Sequence, residues 1–276
     1  MQFLQWLNEI GISVKRPLEP LYDLFFVRSF FRNSPWEYIR KIGRGSFGTA
    51  YIISERNSGR NYLLKRSNFF RRNSQETREG FNAERQLLAE LTDPAFPRLA
   101  ESGHWGKTAY LIMEYKSGKT FEELIFQEGK TFNERESFEI AEKLLIKLAA
   151  LHEKNIFHRD LRIPNILADG EQIYIIDFGL ARKKTQEQMV SENEDPRRPV
   201  DYSSDLYGLG HFLLFLLYSG YEPVSLKERP WQQELRLQIE SCEIIERLLQ
   251  AKTPFQDSKE ALKAIQSHLK KIGSEV

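Results

Sequence analysis

HRDLRIPNILADGEQIYIIDFG, residues 158–179, holds three groups suited to a nucleotide and two metal ions within twenty-two residues: Asp160, Asn165 and Asp177. A loop opens the stretch, a short strand is expected over 166–168, Gly170 turns the chain, and a second strand over 172–176 leads to Asp177. That pattern is a hairpin with an acid at each mouth. A general base must reach the hydroxyl it deprotonates, and Mg²⁺ takes hard oxygen ligands from one or two carboxylates plus phosphate. Two acids held close by a hairpin therefore suit phosphoryl transfer.

HRDLxxxN followed by DFG resembles the catalytic core of the eukaryotic-like (Hanks-type) serine/threonine protein kinases, and this chain is similar to a divergent bacterial member. The resemblance implies an α+β, two-lobed fold: a small β-rich lobe over 36–115, a mostly helical lobe over 116–276, and an N-terminal helical extension over 1–35. It implies ATP and Mg²⁺ as cofactors. Asp160 is then the base that orients the attacking hydroxyl, and Asn165 and Asp177 are the Mg²⁺ ligands. His158 and Phe178 read as packing residues. Arg159 is of the kind that pairs with a phosphorylated activation loop. Arg162 stands where these enzymes usually carry lysine; a guanidinium binds phosphate bidentately, but the two residues are not interchangeable.

Upstream elements appear in the order the resemblance requires. A strand over 38–42 runs into Gly43-Arg44-Gly45-Ser46-Phe47-Gly48, and a second strand over 50–54 leaves it. Dinucleotide-binding folds share the G-x-G-x-x-G spacing, but there the glycines open a helix, whereas here apolar Ala50 to Ile53 and the turn Asn57-Ser58-Gly59 indicate a hairpin. By the resemblance, the glycine turn closes over ATP phosphates, with Ile42 at its entrance.

Lys65 ends the next strand and matches the lysine that binds the α- and β-phosphates. Glu84 follows nineteen residues on, in a helical pattern over 74–91, with Leu88 and Leu91 on its own face. An inward carboxylate needs a cationic partner, and Lys65 is the candidate. Glu90, six residues further, falls on another face and is expected in solvent. Ala50 and Leu63 stand where the family carries valine and alanine over the adenine, one smaller and one larger, so the slot keeps its volume. Met113 aligns with the guard of the adenine pocket, Glu114 and Tyr115 with the backbone hinge, and Leu167 with the residues contacting the base.

Beyond the hinge, a capping box of Asn133 with Glu136 opens a long helix expected to reach Asn155, with Ile140, Leu144, Leu148 and Leu151 on one face. From Gly179 to Asp205 the likeness thins: there is no Ala-Pro-Glu, and the chain passes through an acidic patch over 187–195 into Pro196-Arg197-Arg198-Pro199. Asp205 to Gly210 resembles the start of the buried helix anchoring the catalytic loop, and 244–262 the penultimate helix and its turn. Gln256 replaces the arginine that pairs with the Ala-Pro-Glu glutamate, so both halves of that ion pair are missing together. Thr185 and Ser191 are candidate phosphate acceptors that Arg159, Arg197 or Arg198 would pair with.

With 276 residues the chain suits one large domain or two lobes, and 40 basic against 39 acidic residues give no case for nucleic acid as a partner. The single Cys242 allows no internal disulfide and, with no signal-peptide pattern at the start, indicates a cytoplasmic setting. Phe3, Leu4, Trp6, Leu7 and Ile10 recur at helical spacing, and an aromatic cluster over 24–31 carries Arg28. A helical extension packed on the core is the preferred reading, with membrane-surface contact as its alternative. The function expected is ATP-dependent phosphoryl transfer to serine or threonine hydroxyls of a protein substrate. A small-molecule or lipopolysaccharide-type kinase on the same fold is one alternative, and a non-catalytic pseudokinase scaffold another.

Overall fold

The computed structural model describes residues 18–45, 48–184, 200–223 and 229–272. The helical pattern over 3–10, Ser46 and Phe47 of the glycine turn, Thr185, Ser191, the acidic patch over 187–195 and the Arg197-Arg198 pair lie outside the described residues. The fold is α+β and divides into two compact units, Met1–Tyr115 and Lys116–Val276.

The first unit is built on an antiparallel five-stranded sheet in the order β1-β2-β3-β5-β4. Its strands are β1 (Trp36–Arg44), β2 (Gly48–Glu55), β3 (Asn61–Ser67), β4 (Leu99–Trp105) and β5 (Thr108–Glu114). In β2 both alternating sets are largely withdrawn from water, with Tyr51 and Ile53 on one face and Ile52 on the other. A strand reads this way only when its sheet is covered on both sides.

Helix α1 (Leu18–Phe30) covers one face: Phe26 stacks on Tyr51 at 5.9 Å between ring centroids and meets Trp105 edge-on at 5.4 Å, in a cluster with Leu64 and Ile112. Full burial of a side chain such as Phe26 contributes about 1.5–3 kcal/mol. Helix α2 (Gln75–Glu90) packs on β4 and β5; Ser74 caps it by accepting the Thr77 N–H at 3.2 Å, and its buried face carries Phe81, Glu84, Leu87 and Leu88. Glu90 is exposed.

The second unit is mainly helical, with short strands supporting loops. These are β6 (Lys119–Thr120), α3 (Phe121–Phe126), α4 (Glu134–His152), β7 (Ile156–Phe157), β8 (Ile166–Asp169), β9 (Gln172–Ile175), β10 (Arg182–Lys183), α5 (Tyr202–Tyr218), α6 (Trp231–Glu234), α7 (Ile239–Leu248) and α8 (Ser258–Ile272). The capping box at α4 forms in both directions, Glu136 N–H to Asn133 and Asn133 N–H to Glu136, each at 2.9 Å. Leu144, Leu145, Leu148 and Leu151 of α4 are fully buried.

Helix α4 stops at His152 rather than Asn155, because Asn155 adopts a left-handed backbone with φ 56° that cannot extend it. The penultimate helix, α7, begins at Ile239, five residues ahead of the 244–262 expectation, and a loop separates it from α8. Gly208 of α5 lies against the loop after β7, where an added Cβ would sit 2.9 Å from Leu161 Cβ, so a side chain there would push the helix and loop apart. Among the described residues no helix is long and apolar enough to cross a membrane.

Candidate active site

In the second unit, the loop after β7 is fixed from below by a buried carboxylate. Asp205, in the first turn of α5 and wholly inaccessible, accepts the backbone N–H groups of His158 at 2.8 Å and Arg159 at 2.6 Å. His152 Nε2 lies 2.9 Å from the same carboxylate. Burial pushes the Asp205 carboxyl upward, but the hydrogen bond and charge of His152, the charge of His158 and the Arg159 N–H together hold it below the usual carboxylate range. The His158 ring donates through Nε2 to the Ile176 carbonyl at 3.1 Å and meets the Phe178 ring edge-on at 5.0 Å. The loop is thereby tied to the end of the β8–β9 hairpin. The Ile176 N–H to Asn165 carbonyl bond at 2.9 Å is a second tie.

The side chains that the sequence marks as candidates stand on this frame. Asp160 is mostly buried, and its carboxylate accepts Asn165 Nδ2 at 2.9 Å while Arg162 approaches through Nε at 2.9 Å and Nη2 at 3.2 Å. Asn165 Nδ2 also reaches the Asp160 carbonyl at 2.9 Å. Arg162 is 63% exposed, so it lies over Asp160 from the solvent side and is free to exchange partners. Asp177 is exposed, with its carboxylate accepting the Gly179 N–H at 3.3 Å. Arg159 and Asp177 both hold left-handed backbones, φ 64° and 62°. Such conformations are uncommon for residues other than glycine and gather at sites where surrounding structure enforces them.

In the first unit, β3 carries Lys65 with its Nζ 2.8 and 2.9 Å from the two Glu84 carboxylate oxygens. Glu84 is 2% exposed and the lysine 15%, so the carboxylate is locked and the ammonium remains reachable. Cross-strand register places Ala50 opposite Lys65 and Leu63 opposite Met113, so these four share one face of the sheet, with Met113 buried. Glu114 and Tyr115 follow at the end of β5, and Ile42 is half exposed near the end of β1.

In the glycine turn, the Gly45 N–H donates to the Gly48 carbonyl at 2.8 Å. An added Cβ would meet nothing at Gly43, but at Gly48 it would lie 2.5 Å from the Arg66 carbonyl, so only the last glycine is sterically required here. The Arg44 guanidinium lies 3.8 Å from Glu19 of α1. Leu167, in β8, is buried.

The donor set matches Mg²⁺ chemistry. Asn165 commits its amide nitrogen to Asp160, which leaves its oxygen as a hard ligand, and Asp177 presents a carboxylate. No cluster of three His, Cys, Asp or Glu occurs among the described residues.

Sequence reasoning missed the buried set around Arg66, where Glu19, Asp23 and Tyr51 converge, and the link of His152 to Asp205. The faint signal for the first was Glu19 and Asp23 at four-residue spacing ahead of an aromatic cluster.

A strand lysine locked to a helix glutamate, an acid-and-amide loop, and an acid after a hairpin define a nucleotide-dependent phosphotransferase. The protein kinase domain model matches residues 36–275. A Bacillus subtilis protein named probable serine/threonine-protein kinase YbdM is 30% identical over 236 residues, covering 86% of this chain and 90% of that protein. Mouse serine/threonine-protein kinase Nek4 is 30% identical over 197 residues, or 70% of this chain and 23% of Nek4. Myxococcus xanthus serine/threonine-protein kinase pkn2 is 28% identical over 204 residues, 67% of this chain and 24% of pkn2, so the chain spans about a quarter of these last two. The chain belongs to the protein kinase domain family, whose members use ATP and Mg²⁺.

Proposed function

We propose that this chain is a serine/threonine protein kinase in which the roles divide between the two units. Residues 36–115 hold the nucleotide, 116–276 carry the catalytic loop, and 1–35 form an N-terminal extension. Lys65 holds the α- and β-phosphates of ATP, with Glu84 fixing its ammonium. The glycine turn over 43–48 closes on the phosphates, and Ala50, Leu63, Met113, the backbone of Glu114 and Tyr115, and Leu167 receive the base. Asp160 accepts the proton of the attacking serine or threonine hydroxyl as its oxygen bonds to the γ-phosphorus and ADP departs. Arg162, already lying over Asp160, pairs with γ-phosphate oxygens. Asn165 and Asp177 would hold Mg²⁺, which when bound neutralises the phosphate charge.

The observation that carries this reading is the Lys65–Glu84 pair. A nearly inaccessible glutamate on a helix face shared with Phe81, Leu87 and Leu88 would be costly to bury without its lysine, whose side chain is 15% exposed and within reach of an anion. The relatives are named serine/threonine-protein kinases, which supports serine and threonine as acceptors. The test is ATP- and Mg²⁺-dependent phosphate transfer to a panel of unfolded proteins, sugars and aminoglycosides, with acid hydrolysis of the product to identify the phosphoamino acid. Asp160→Asn should lower kcat about 10²–10⁴-fold, the usual contribution of a positioned base, while ATP affinity stays within a few fold. Transfer by Asp160→Asn at the wild-type rate, or transfer only to small molecules, would refute the assignment.

A further inference from the structure

Arg66, the residue after Lys65, points to the opposite face of β3 and is wholly inaccessible. Its guanidinium is satisfied by four neighbours. Nη1 donates to Glu19 at 3.1 Å and to the Ser67 carbonyl at 2.9 Å, Nε donates to the Tyr51 hydroxyl at 2.9 Å, and Nη2 pairs with Asp23. The rings of Tyr22, Phe26 and Tyr51 surround it with centroids 5.0, 5.3 and 5.9 Å away. Both acids come from α1, four residues apart on one face. Asp23 further accepts the Tyr51 hydroxyl at 2.6 Å and pairs with Lys41 of β1. Thus α1 is fastened to three successive strands by charge as well as by aromatic packing.

The fastening points are next to the nucleotide groups. The Arg66 carbonyl abuts Gly48, the last glycine of the turn. Both Glu19 carboxylate oxygens accept the Phe69 N–H, each at 3.2 Å. Between these two anchors sits Asn68, whose Nδ2 donates to the Gly45 carbonyl at 3.0 Å and whose Oδ1 accepts the Thr49 hydroxyl at 3.3 Å. From Glu19, then, a continuous path of bonds passes through Phe69 and Asn68 to the glycine turn, and another through Arg66 to the strand bearing Lys65.

We infer that α1 positions the ATP-binding machinery: Glu19 and Asp23, acting through Arg66 and Asn68, set Lys65 and the glycine turn for the phosphates. The inference rests on the reading of Lys65 as a phosphate-binding residue. Neither acid touches nucleotide in this scheme, and both are positioning residues. A purely structural role for the cluster predicts that restoring stability restores ATP binding. A positioning role predicts that it does not, because an apolar replacement fills the space without re-creating the bonds to Phe69 and Arg66.

The experiment uses the full chain and follows ATP binding by calorimetry together with transfer kinetics and melting temperature. Glu19→Met with Asp23→Leu strands the buried guanidinium and should lower the melting temperature. Adding Arg66→Met removes the stranded charge and should recover most of that loss, since buried ionic clusters can be replaced by apolar side chains of similar volume. In both variants the Kd and KM for ATP should rise about tenfold, with the KM for the protein substrate within twofold of wild type. A triple variant that regains stability and binds ATP within twofold of wild type would overturn the inference, as would a rise in substrate KM equal to that for ATP. Failure of the wild-type chain to bind ATP would instead overturn the reading of the site itself.

Discussion

Lys65 and Arg66 are adjacent on one strand, and the fold treats them in opposite ways. Lys65 faces α2, pairs with the Glu84 carboxylate and retains 15% of its side-chain surface. Arg66 faces α1, has two carboxylates, a phenol and a carbonyl as partners, and retains none. A strand alternates its side chains, so covering both faces of a sheet forces consecutive charges into different environments. The environment then decides the work each cation can do. Lys65 keeps part of its surface where an anion can reach it, whereas Arg66 keeps none.

The contrast breaks most visibly on mutation. Lys65→Met should lower transfer about 10²-fold or more, because a charge aimed at phosphate oxygens acts in a site where electrostatic stabilisation dominates. Its effect on stability should be the smaller one. Arg66→Met should do the reverse first: two carboxylates are left buried without their cation, at a cost of about 3–5 kcal/mol. Paired urea titrations and turnover measurements on the two variants check this. If both lose stability equally, the division between a cation for chemistry and one for the fold is wrong.

The second unit has its own saturated charge, and it offers a milder version of the same comparison. Asp205 sits beneath the catalytic loop as Arg66 sits beneath β3, holding two backbone N–H groups and a histidine. Asp205→Asn preserves shape but replaces one acceptor oxygen with a donor, so one N–H or the histidine goes unpaired. The expected loss is about 1–3 kcal/mol in urea unfolding. A kcat reduction without a change in ATP KM should accompany it, because the loop carrying Asp160 is what loosens. A variant indistinguishable from wild type in both respects would show that the Gly208 contact and the His158 bonds hold the loop unaided.

These two anchors differ in how much of them the sequence displayed. The loop, the hairpin and Asn165 lie in one continuous stretch, and the turn at Gly170 with alternating apolar residues states its geometry locally. Glu84 was readable from helical periodicity because its neighbours on the face are leucines. Asp205 was recognisable as the start of an anchoring helix, but its histidine partner lies 53 residues earlier. Arg66 was least legible: its acids lie 43 and 47 residues away, and a strand-end arginine beside a lysine looks like an ordinary solvated charge. Only the aromatic cover supplied by α1 turns that position inward, and no local pattern encodes which helix will cover a sheet.

The smallest expected effect is in the pH dependence, and it tests whether the carboxylates in both anchors are ionised by their surroundings. Asp23 experiences an upward push from burial, which the hydrogen bonds of Lys41 and Tyr51 and the charge of Arg66 outweigh, leaving its carboxyl lowered; Asp205 is lowered as well. A group lowered in the folded state contributes stability that is present above its unfolded value, near 3.9 for aspartate, and is lost as pH falls through the folded value. Burial likewise lowers His211 and His268, so their share is present above about pH 6.5 and declines below it. Urea unfolding followed from pH 8 downward should therefore show a shallow loss beginning near pH 6.5 and a steeper one below about pH 4. Asp23→Asn and Asp205→Asn should each flatten the lower step and leave the upper one unchanged. An acid limb that keeps its full slope in both variants would mean the two carboxylates are not held in their charged form by Arg66 and His152, and the likeness between the two anchors would fail at its electrostatic root.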